Sequence, residues 1–201
     1  FPIPYRLIQK EMTMSELTGK RALVTGASRG IGAAIALTLA EKGADVAITY
    51  ERSADKANEV VRAIEAKGRR GFAIQADSAD AAAVKASVQE AAAKLGGLDI
   101  LVNNAGIARR GPVAEMSLAD IDAILDVNVR SVVLASQAAI PLLGQGGRII
   151  SIGANLAERV PFPVVTFYSM SKSALLSFTR GLARELGPRG ITVNLVHPGS
   201  T

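Results

Sequence analysis

The chain of 201 residues contains no cysteine and no tryptophan, one histidine, and only 4% aromatic residues. Without cysteine it can form no disulfide framework, no thiolate-ligated zinc or iron–sulfur site, and no thiol nucleophile. A single histidine excludes a metal site built from several imidazoles. The scarcity of aromatic side chains argues against a stacking platform for single-stranded nucleic acid. No metal centre is therefore predicted.

The formal net charge of +5 raises the question of an acidic partner. The basic residues are spread along the chain, and the densest groups, 67–70 and 109–110, are short enough to be solvated loops. No unbroken apolar run reaches the ~18 residues that could span a bilayer. Residues 1–16 lack the pattern of a signal peptide and are interpreted as an extension outside the fold. We expect no nucleic-acid partner, no membrane span and a cytoplasmic location.

From residue 17 onward, short apolar segments rich in β-branched residues alternate with alanine-rich segments of helical spacing. Strands that are apolar throughout are covered on both faces, as in a parallel sheet. The alternation predicts a single Rossmann-like α/β domain over residues 17–201, a doubly wound parallel sheet with helices on both faces. The predicted strands are Arg21–Thr25, Asp45–Tyr50, Gly71–Gln75, Asp99–Asn103, Arg148–Ile152 and Ile191–Val196, and the clearest helices are Ile31–Lys42, Ala54–Lys67, Ala79–Leu95 and Tyr168–Leu186.

A glycine-rich turn follows the first predicted strand and leads into the first predicted helix. Glycine allows close approach of the backbone, and the helix N-terminus offers free N–H groups to a pyrophosphate. The spacing differs from the usual G-x-G-x-x-G, and a tight structural turn is the alternative, but the position after the first strand favours a dinucleotide site. The turn residues assigned to the cofactor are Gly26, Ser28, Arg29, Gly30, Ile31 and Gly32.

The end of the second predicted strand indicates which dinucleotide binds. An acidic residue there holds the ribose 2′-hydroxyl of NAD, whereas a basic environment accommodates the 2′-phosphate of NADP. Tyr50 closes the strand, and Glu51, Arg52 and Ser53 follow it. We expect NADP(H) rather than NAD(H), with Tyr50, Arg52 and Ser53 at the ribose and Arg29 within reach of the phosphate. NAD(H) remains open, because Glu51 could turn inward.

Tyr168 and Lys172 lie four residues apart at the start of the last predicted helix, and this spacing places them on one helical face. An ammonium near a phenol lowers the tyrosine pKa from about 10 toward neutrality, which gives a proton donor usable at physiological pH. The pair alone is only suggestive, since a surface tyrosine beside a solvated lysine has the same spacing.

Together these features resemble the classical short-chain dehydrogenase/reductase family, and they are similar to its 3-oxoacyl-[acyl-carrier-protein]-reductase-like members. The resemblance covers about residues 17–201 and depends on the order of several motifs. These are Thr25–Gly32, Asp77 after the third strand, Asn103–Gly106 after the fourth, Asn128, Tyr168 with Lys172, and Pro198–Gly199 after the sixth.

The resemblance implies a role for each matching residue. Tyr168 would be the general acid–base, Lys172 would hold the nicotinamide ribose, and Asn128 would anchor a water in a proton relay. The remaining cofactor contacts are assigned to Asp77 and Ser78 at the adenine, to Asn104, Ala105 and Gly106 beside the flat ring, and to Pro198 and Gly199, which would brace the nicotinamide. In the family the last long helix also packs between subunits, so we expect a homodimer or homotetramer.

Two departures from the family pattern stand out. Where the family has a serine that polarises the substrate carbonyl, this chain has Ala154 or Asn155, and the Asn155 amide is the candidate replacement. Loss of one such donor typically costs on the order of 10²–10³ in rate. Family members also continue into a lid and a seventh strand, and we expect both to be absent from this chain, which stops at Thr201.

The preferred hypothesis is an NADPH-dependent oxidoreductase that interconverts a small carbonyl substrate and a secondary alcohol, with Tyr168, Lys172, Asn128 and Asn155 as the catalytic set. The apolar segment 161–165, placed just before Tyr168, is expected to wall the substrate cavity. His197, which precedes Pro198, is expected to be structural or pocket-lining. The alternative is a nucleotide-binding regulatory protein on the same scaffold, with little turnover because of Ala154.

Overall fold

Six parallel strands form one sheet in the computed structural model, which describes residues 17–199. The strands are β1 (Arg21–Val24), β2 (Asp45–Tyr50), β3 (Gly71–Gln75), β4 (Ile100–Asn103), β5 (Arg148–Ile152) and β6 (Thr192–Val196), in the spatial order β3-β2-β1-β4-β5-β6. The predicted doubly wound parallel sheet is confirmed, and each predicted strand is shifted by no more than a residue at either end. The predicted extension, residues 1–16, lies outside the described residues.

Helices connect the strands. They are α1 (Gly30–Glu41), α2 (Ala54–Glu65), α3 (Ala81–Leu95), α4 (Leu118–Leu125), α5 (Ser131–Ala139) and α6 (Thr166–Leu186). A π-helical turn, Asp126–Arg130, joins α4 to α5, and a short 3-10 turn, Asn155–Ala157, follows β5. The sequence pattern had singled out α1, α2, α3 and α6 but not α4 and α5.

The core consists of two layers, one on each face of the sheet. Because successive side chains of a strand point to opposite faces, Ala22 and Val24 of β1 pack in the layer with α1 and α2, whereas Leu23 packs in the layer with α3, α5 and α6. All three side chains are fully buried. This two-sided burial explains why the strands are apolar throughout rather than alternating.

The strand order reverses at β1, which pairs with β2 on one side and with β4 on the other. Ligands of doubly wound sheets bind outside the carboxyl ends of the strands at such a reversal. The two strand ends are tied together there. The Asn104 side chain donates to the carbonyl oxygens of Thr25 and Gly26 at 2.9 and 3.1 Å, and the Thr25 hydroxyl accepts the Asn104 N–H at 3.0 Å.

The sheet ends at β6, and no seventh strand occurs among residues 17–199. Val196, at the end of this edge strand, is half exposed. Within the same described range, no helix is both long enough and apolar enough to cross a membrane.

Candidate active site

The glycine-rich turn packs directly against the end of β4. Gly26 has φ +63°, and a Cβ there would lie 2.9 Å from the Ala105 Cα. A Cβ on Gly32 would lie 2.9 Å from the Ala27 Cα and would also meet the Asn104 amide. Any larger residue at either position would therefore push the turn away from β4.

The N-terminus of α1 faces outward from this turn. Gly30 has φ +58°, and a Cβ there would meet no atom within 4 Å. The preceding residue, Arg29, is exposed and makes no side-chain capping bond, and the first turn of α1 contains no acidic residue. The uncapped N–H groups and the positive end of the helix dipole can therefore receive an anion.

The end of β2 places two opposite charges beside the turn. The Arg52 Nε and the Glu51 Oε1 form an ion pair at 2.7 Å on the exposed surface. Tyr50 is half-buried and Ser53 is exposed at the start of α2. The Glu51 carboxylate at this edge of the site is therefore paired with Arg52.

The residues after β3 lie further along the same sheet edge. Asp77 is exposed, and its Oδ1 accepts the Ala79 N–H at 2.8 Å. Ser78 borders a small void of about 10 Å³ with Thr25 and Thr49, and none of these three residues lines the main cleft described next.

A cleft of about 600 Å³ opens beyond the ends of β4, β5 and β6. Of the predicted site residues it is lined by Ile31, Asn104, Gly106, Asn155, Tyr168, Lys172, Pro198 and Gly199. Its other lining residues are Ile107, Ala108, Arg110, Ile152, Gly153, Ala154, Leu156, Pro161, Phe162 and Val165. The cleft therefore joins the Tyr168 and Lys172 pair to the N-terminal part of α1 through the end of β4.

Lys172 is almost completely buried at the floor of this cleft, and its Nζ donates to the Ile152 carbonyl oxygen at 3.0 Å. A Cβ on Gly106 would lie 3.1 Å from this Nζ and 3.3 Å from the Asn128 Oδ1. Glycine at 106 thus lets the segment after β4 pass close over both polar groups.

Asn128 lies in the π-helical turn and is fully buried. Its amide is shared among three groups: the Oδ1 accepts the Ile107 N–H at 2.8 Å, and the Nδ2 donates to the Ile107 carbonyl at 2.9 Å and to the Ser171 hydroxyl at 3.0 Å. The side chain therefore holds the segment after β4 against α6. Asn128 itself does not line the cleft.

Burial acts on both ionisable groups of the pair. It raises the pKa of the half-buried Tyr168 phenol and lowers the pKa of Lys172 to about 8. The expected lowering of the Tyr168 pKa is wrong for the protein alone, because desolvation of the phenol is the dominant effect and the Lys172 Nζ is hydrogen-bonded to Ile152. At neutral pH both groups carry their proton.

Comparison with known proteins matches residues 20–201 to the family model for short chain dehydrogenases. The 3-oxoacyl-[acyl-carrier-protein] reductase of Staphylococcus aureus is 46% identical over 182 residues, 90% of this chain and 74% of that protein. The chain belongs to the short-chain dehydrogenase/reductase family.

Solved structures of the family agree with this assignment. A short chain dehydrogenase from Burkholderia cenocepacia, in complex with NADP, is 64% identical with a TM-score of 0.91, over 92% of this chain and 76% of that one. A blue fluorescent protein from a metagenomic library, in complex with NADPH, is 55% identical with a TM-score of 0.90, over 92% of this chain and 75% of that one. The chain is thus an NAD(P)-dependent short-chain dehydrogenase/reductase that acts on the CH–OH group of donors.

The residues present fit the family's nicotinamide dinucleotide. Glycine 26 and glycine 32 bring the first turn close to β4, and the N-terminus of α1 is left uncapped beside the exposed Arg29. Because Gly106 has no Cβ, the backbone at this position can pass close to the Lys172 Nζ. The closely packed glycines, the uncapped helix N-terminus and the basic side chains can together bind a ligand that is anionic and contains a flat ring.

The carbonyl-polarising hydroxyl of the family is missing from the cleft, which no serine or threonine lines in the described part of the chain. The buried Ser151 points elsewhere, and its hydroxyl lies 3.5 Å from the Asn103 amide. Ala154 and Asn155 both line the cleft, so Asn155 is the nearest amide donor in sequence to the expected position.

Sequence reasoning missed two residues at this site. Ser171, beside Lys172, joins α6 to Asn128, and its place inside the Tyr168–Lys172 motif was the available signal. Arg110 lines the cleft although it was assigned to a solvated basic loop. The signal for Arg110 was its position four residues after Gly106, in a segment that had to cross the same sheet edge.

Proposed function

We propose that the protein is an NADPH-dependent oxidoreductase that interconverts a carbonyl and a secondary alcohol, with Tyr168 as general acid–base. One observation carries the proposal: Tyr168, Lys172 and Gly106 line a single cleft at the strand-order reversal. The apolar residues Phe162 and Leu156 line the same cleft, which supports a substrate with an apolar body.

NADP(H) is proposed over NAD(H) for two reasons. The exposed Arg29 stands at the N-terminus of α1, and the Glu51 carboxylate is paired with Arg52. Two highly similar solved structures hold NADP or NADPH. We assign the 2′-phosphate to Arg29 and Arg52, the pyrophosphate to the glycine-rich turn, and the adenine to Asp77.

When bound between the glycine-rich turn and Lys172, a reduced nicotinamide dinucleotide would supply the hydride for the substrate's carbonyl carbon and leave as the oxidised dinucleotide. Tyr168 then donates its phenolic proton to the carbonyl oxygen, and the new O–H and C–H bonds give the alcohol. Burial raises the pKa of Tyr168, so at neutral pH the phenol holds the proton that it would donate. Lys172, whose Nζ donates to the Ile152 carbonyl oxygen, is proposed to hold the nicotinamide ribose.

Asn128 contributes by positioning. Its amide fixes the Ile107 backbone and the Ser171 hydroxyl, and so sets the distance between the segment after β4 and the helix that carries Tyr168. The water relay implied by the family resemblance is proposed to start at this residue. Asn155 is proposed as the donor to the substrate carbonyl.

The decisive experiment replaces the phenol while keeping the ring. Tyr168→Phe should lower kcat for reduction of a ketone by 10²–10⁴-fold, the range expected for a positioned acid. NADPH binding, followed by its fluorescence, should be unchanged. Ser177→Ala, which removes a hydroxyl from the exposed face of the same helix, serves as the control. A kcat for Tyr168→Phe within about tenfold of the native value would contradict the assignment.

A second candidate function is a nucleotide-binding regulatory protein. It is favoured because neither Ala154 nor the adjacent Gly153 and Asn155 carries a hydroxyl in the cleft. On that basis the chain would bind the dinucleotide as a signal and turn over slowly.

A cytoplasmic location and assembly into a homodimer or homotetramer are further proposals that rest on the family resemblance. Light scattering of the purified protein tests the oligomeric state.

A further inference from the structure

The charged side chains that line the cleft are all positive in the part of the chain that the structure describes. The only charged residues that line it in the described part are Arg110 and Lys172, and no carboxylate lines it. Lys172 is buried, and its Nζ already donates to the Ile152 carbonyl oxygen. Arg110 is exposed and has no hydrogen-bond or ion-pair partner for its side chain among residues 17–199.

The neighbouring arginine behaves differently. The Arg109 Nε lies 3.2 Å from the Asp120 Oδ1, and Arg109 does not line the cleft. Two adjacent residues of the same type therefore differ in both respects: Arg109 is neutralised by a carboxylate outside the cleft, and Arg110 remains an uncompensated cation at its wall.

Arg110 lies next to a residue that is bonded to the apolar loop expected to wall the substrate cavity. The next residue, Gly111, donates its N–H to the Val164 carbonyl at 3.0 Å, which ties this segment to the apolar loop just before Tyr168. Phe162 of that loop lines the cleft together with Arg110. Arg110, the apolar Phe162 and the proton donor Tyr168 thus line one cleft.

We infer that Arg110 selects substrates in which the reacting carbonyl sits on an apolar body that carries an anionic group, a carboxylate or a phosphate. This rests on the proposed carbonyl reduction at Tyr168. A guanidinium remains charged at all physiological pH values and binds both anions through paired N–H donors. Phe162 and Leu156, which line the same cleft, offer apolar contacts to the body of such a substrate.

The test compares two ketones of nearly the same shape, 4-acetylbenzoate and its methyl ester, with NADPH as reductant. Arg110→Gln should lower kcat/KM for the anion by about tenfold through KM and leave the ester unchanged. Arg110→Lys should retain most of the preference. Arg109→Gln removes the same charge one residue away and should leave both substrates unchanged. 4-Acetylphenyl phosphate in place of the benzoate shows whether phosphate is preferred to carboxylate.

The compared quantity is kcat/KM for the anion divided by kcat/KM for the ester. The inference is overturned if Arg110→Gln leaves this ratio unchanged, or if Arg109→Gln lowers it as much as Arg110→Gln does. Reduction of the ester by the unmodified protein tests the proposed function separately. If neither ketone is reduced, calorimetric titration of the NADP⁺-saturated protein with 4-acetylbenzoate decides. Binding that is weakened only in Arg110→Gln supports the inference, and absent or unchanged binding refutes it.

Discussion

The His197 Nδ1 accepts the backbone N–H of Ala154 at 3.2 Å. The N–H groups on either side have backbone acceptors: Gly153 donates to the Val196 carbonyl at 2.8 Å, and Asn155 donates to the Pro198 carbonyl at 3.1 Å. The imidazole therefore satisfies the N–H that lies between them. A Cβ on Gly153 would lie 2.6 Å from this Nδ1. The imidazole thus holds the backbone of Ala154 and packs closely against Gly153, and both residues line the cleft.

This relationship predicts a coupling between positions 153 and 197. Gly153→Ala should lower the free energy of unfolding by about 2 kcal/mol, since the added methyl group displaces the imidazole and its bond. In a His197→Ala background the same change should cost at least about 1 kcal/mol less. Urea denaturation of the four proteins measures the coupling. Equal costs in both backgrounds would show that the imidazole does not constrain Gly153.

Val164 has φ +64°, the only positive φ of a non-glycine residue among the described residues. A β-branched side chain is strained in this region by about 1–2 kcal/mol. Val164→Gly should therefore raise the free energy of unfolding by about 1 kcal/mol. Val160→Gly, in the same exposed loop but without positive φ, should lower it by about 0.5 kcal/mol through chain entropy. Thermal denaturation of both variants checks the contrast.

Burial of Lys172 makes stability depend on pH. Its pKa is lowered from 10.5 to about 8 in the folded protein, so between these values the unfolded chain binds more protons. The free energy of unfolding of the native protein, minus that of Lys172→Met, should therefore rise from pH 8 to pH 10.5, by up to about 3 kcal/mol. Below pH 8 the difference should be flat. Urea denaturation across the window tests this, and a difference that falls with pH would contradict it.

Cofactor preference should depend on Arg29. Arg29→Ala should weaken NADPH binding by ten- to a hundredfold, since one charge-assisted contact with phosphate contributes about 1.5–3 kcal/mol. NADH, which lacks the 2′-phosphate, should lose far less. Fluorescence titrations with both dinucleotides measure the ratio, and Arg180→Ala, an exposed arginine on α6, is the control. Equal losses for NADPH and NADH would assign Arg29 to the pyrophosphate instead.

Ala154→Ser separates the two proposed functions. If the site is catalytic and lacks only a carbonyl donor, the added hydroxyl should raise kcat for ketone reduction by at least about tenfold, and by at most the roughly 10²–10³-fold that such a donor contributes. Ala157→Ser adds a hydroxyl in the neighbouring 3-10 turn, outside the cleft, and should not raise it. A rate unchanged in Ala154→Ser would favour the binding protein if Asn155→Ala also leaves the rate unchanged, and would assign the carbonyl donor to Asn155 if that second change lowers it.

Features that depend on a few neighbouring residues were predictable. Apolar runs of strand length and the glycine spacing of 26–32 are consequences of local backbone geometry, which is why the sheet and its first turn were anticipated to within two residues at the element ends. The common face of Tyr168 and Lys172 likewise follows from helix geometry alone. The helices α4 and α5 were not singled out, because the π-helical turn between them interrupts the periodicity.

By itself, then, the sequence determined the parallel sheet, the glycine-rich turn and the spacing of the tyrosine–lysine pair, since each depends on short-range geometry. Only the tertiary structure decided which of two adjacent arginines lines the cleft, and that the Lys172 Nζ turns to Ile152 while its pKa falls to about 8. These properties come from desolvation and from contacts between distant segments. Neither can be read from residue order, because both depend on which atoms surround a group after folding.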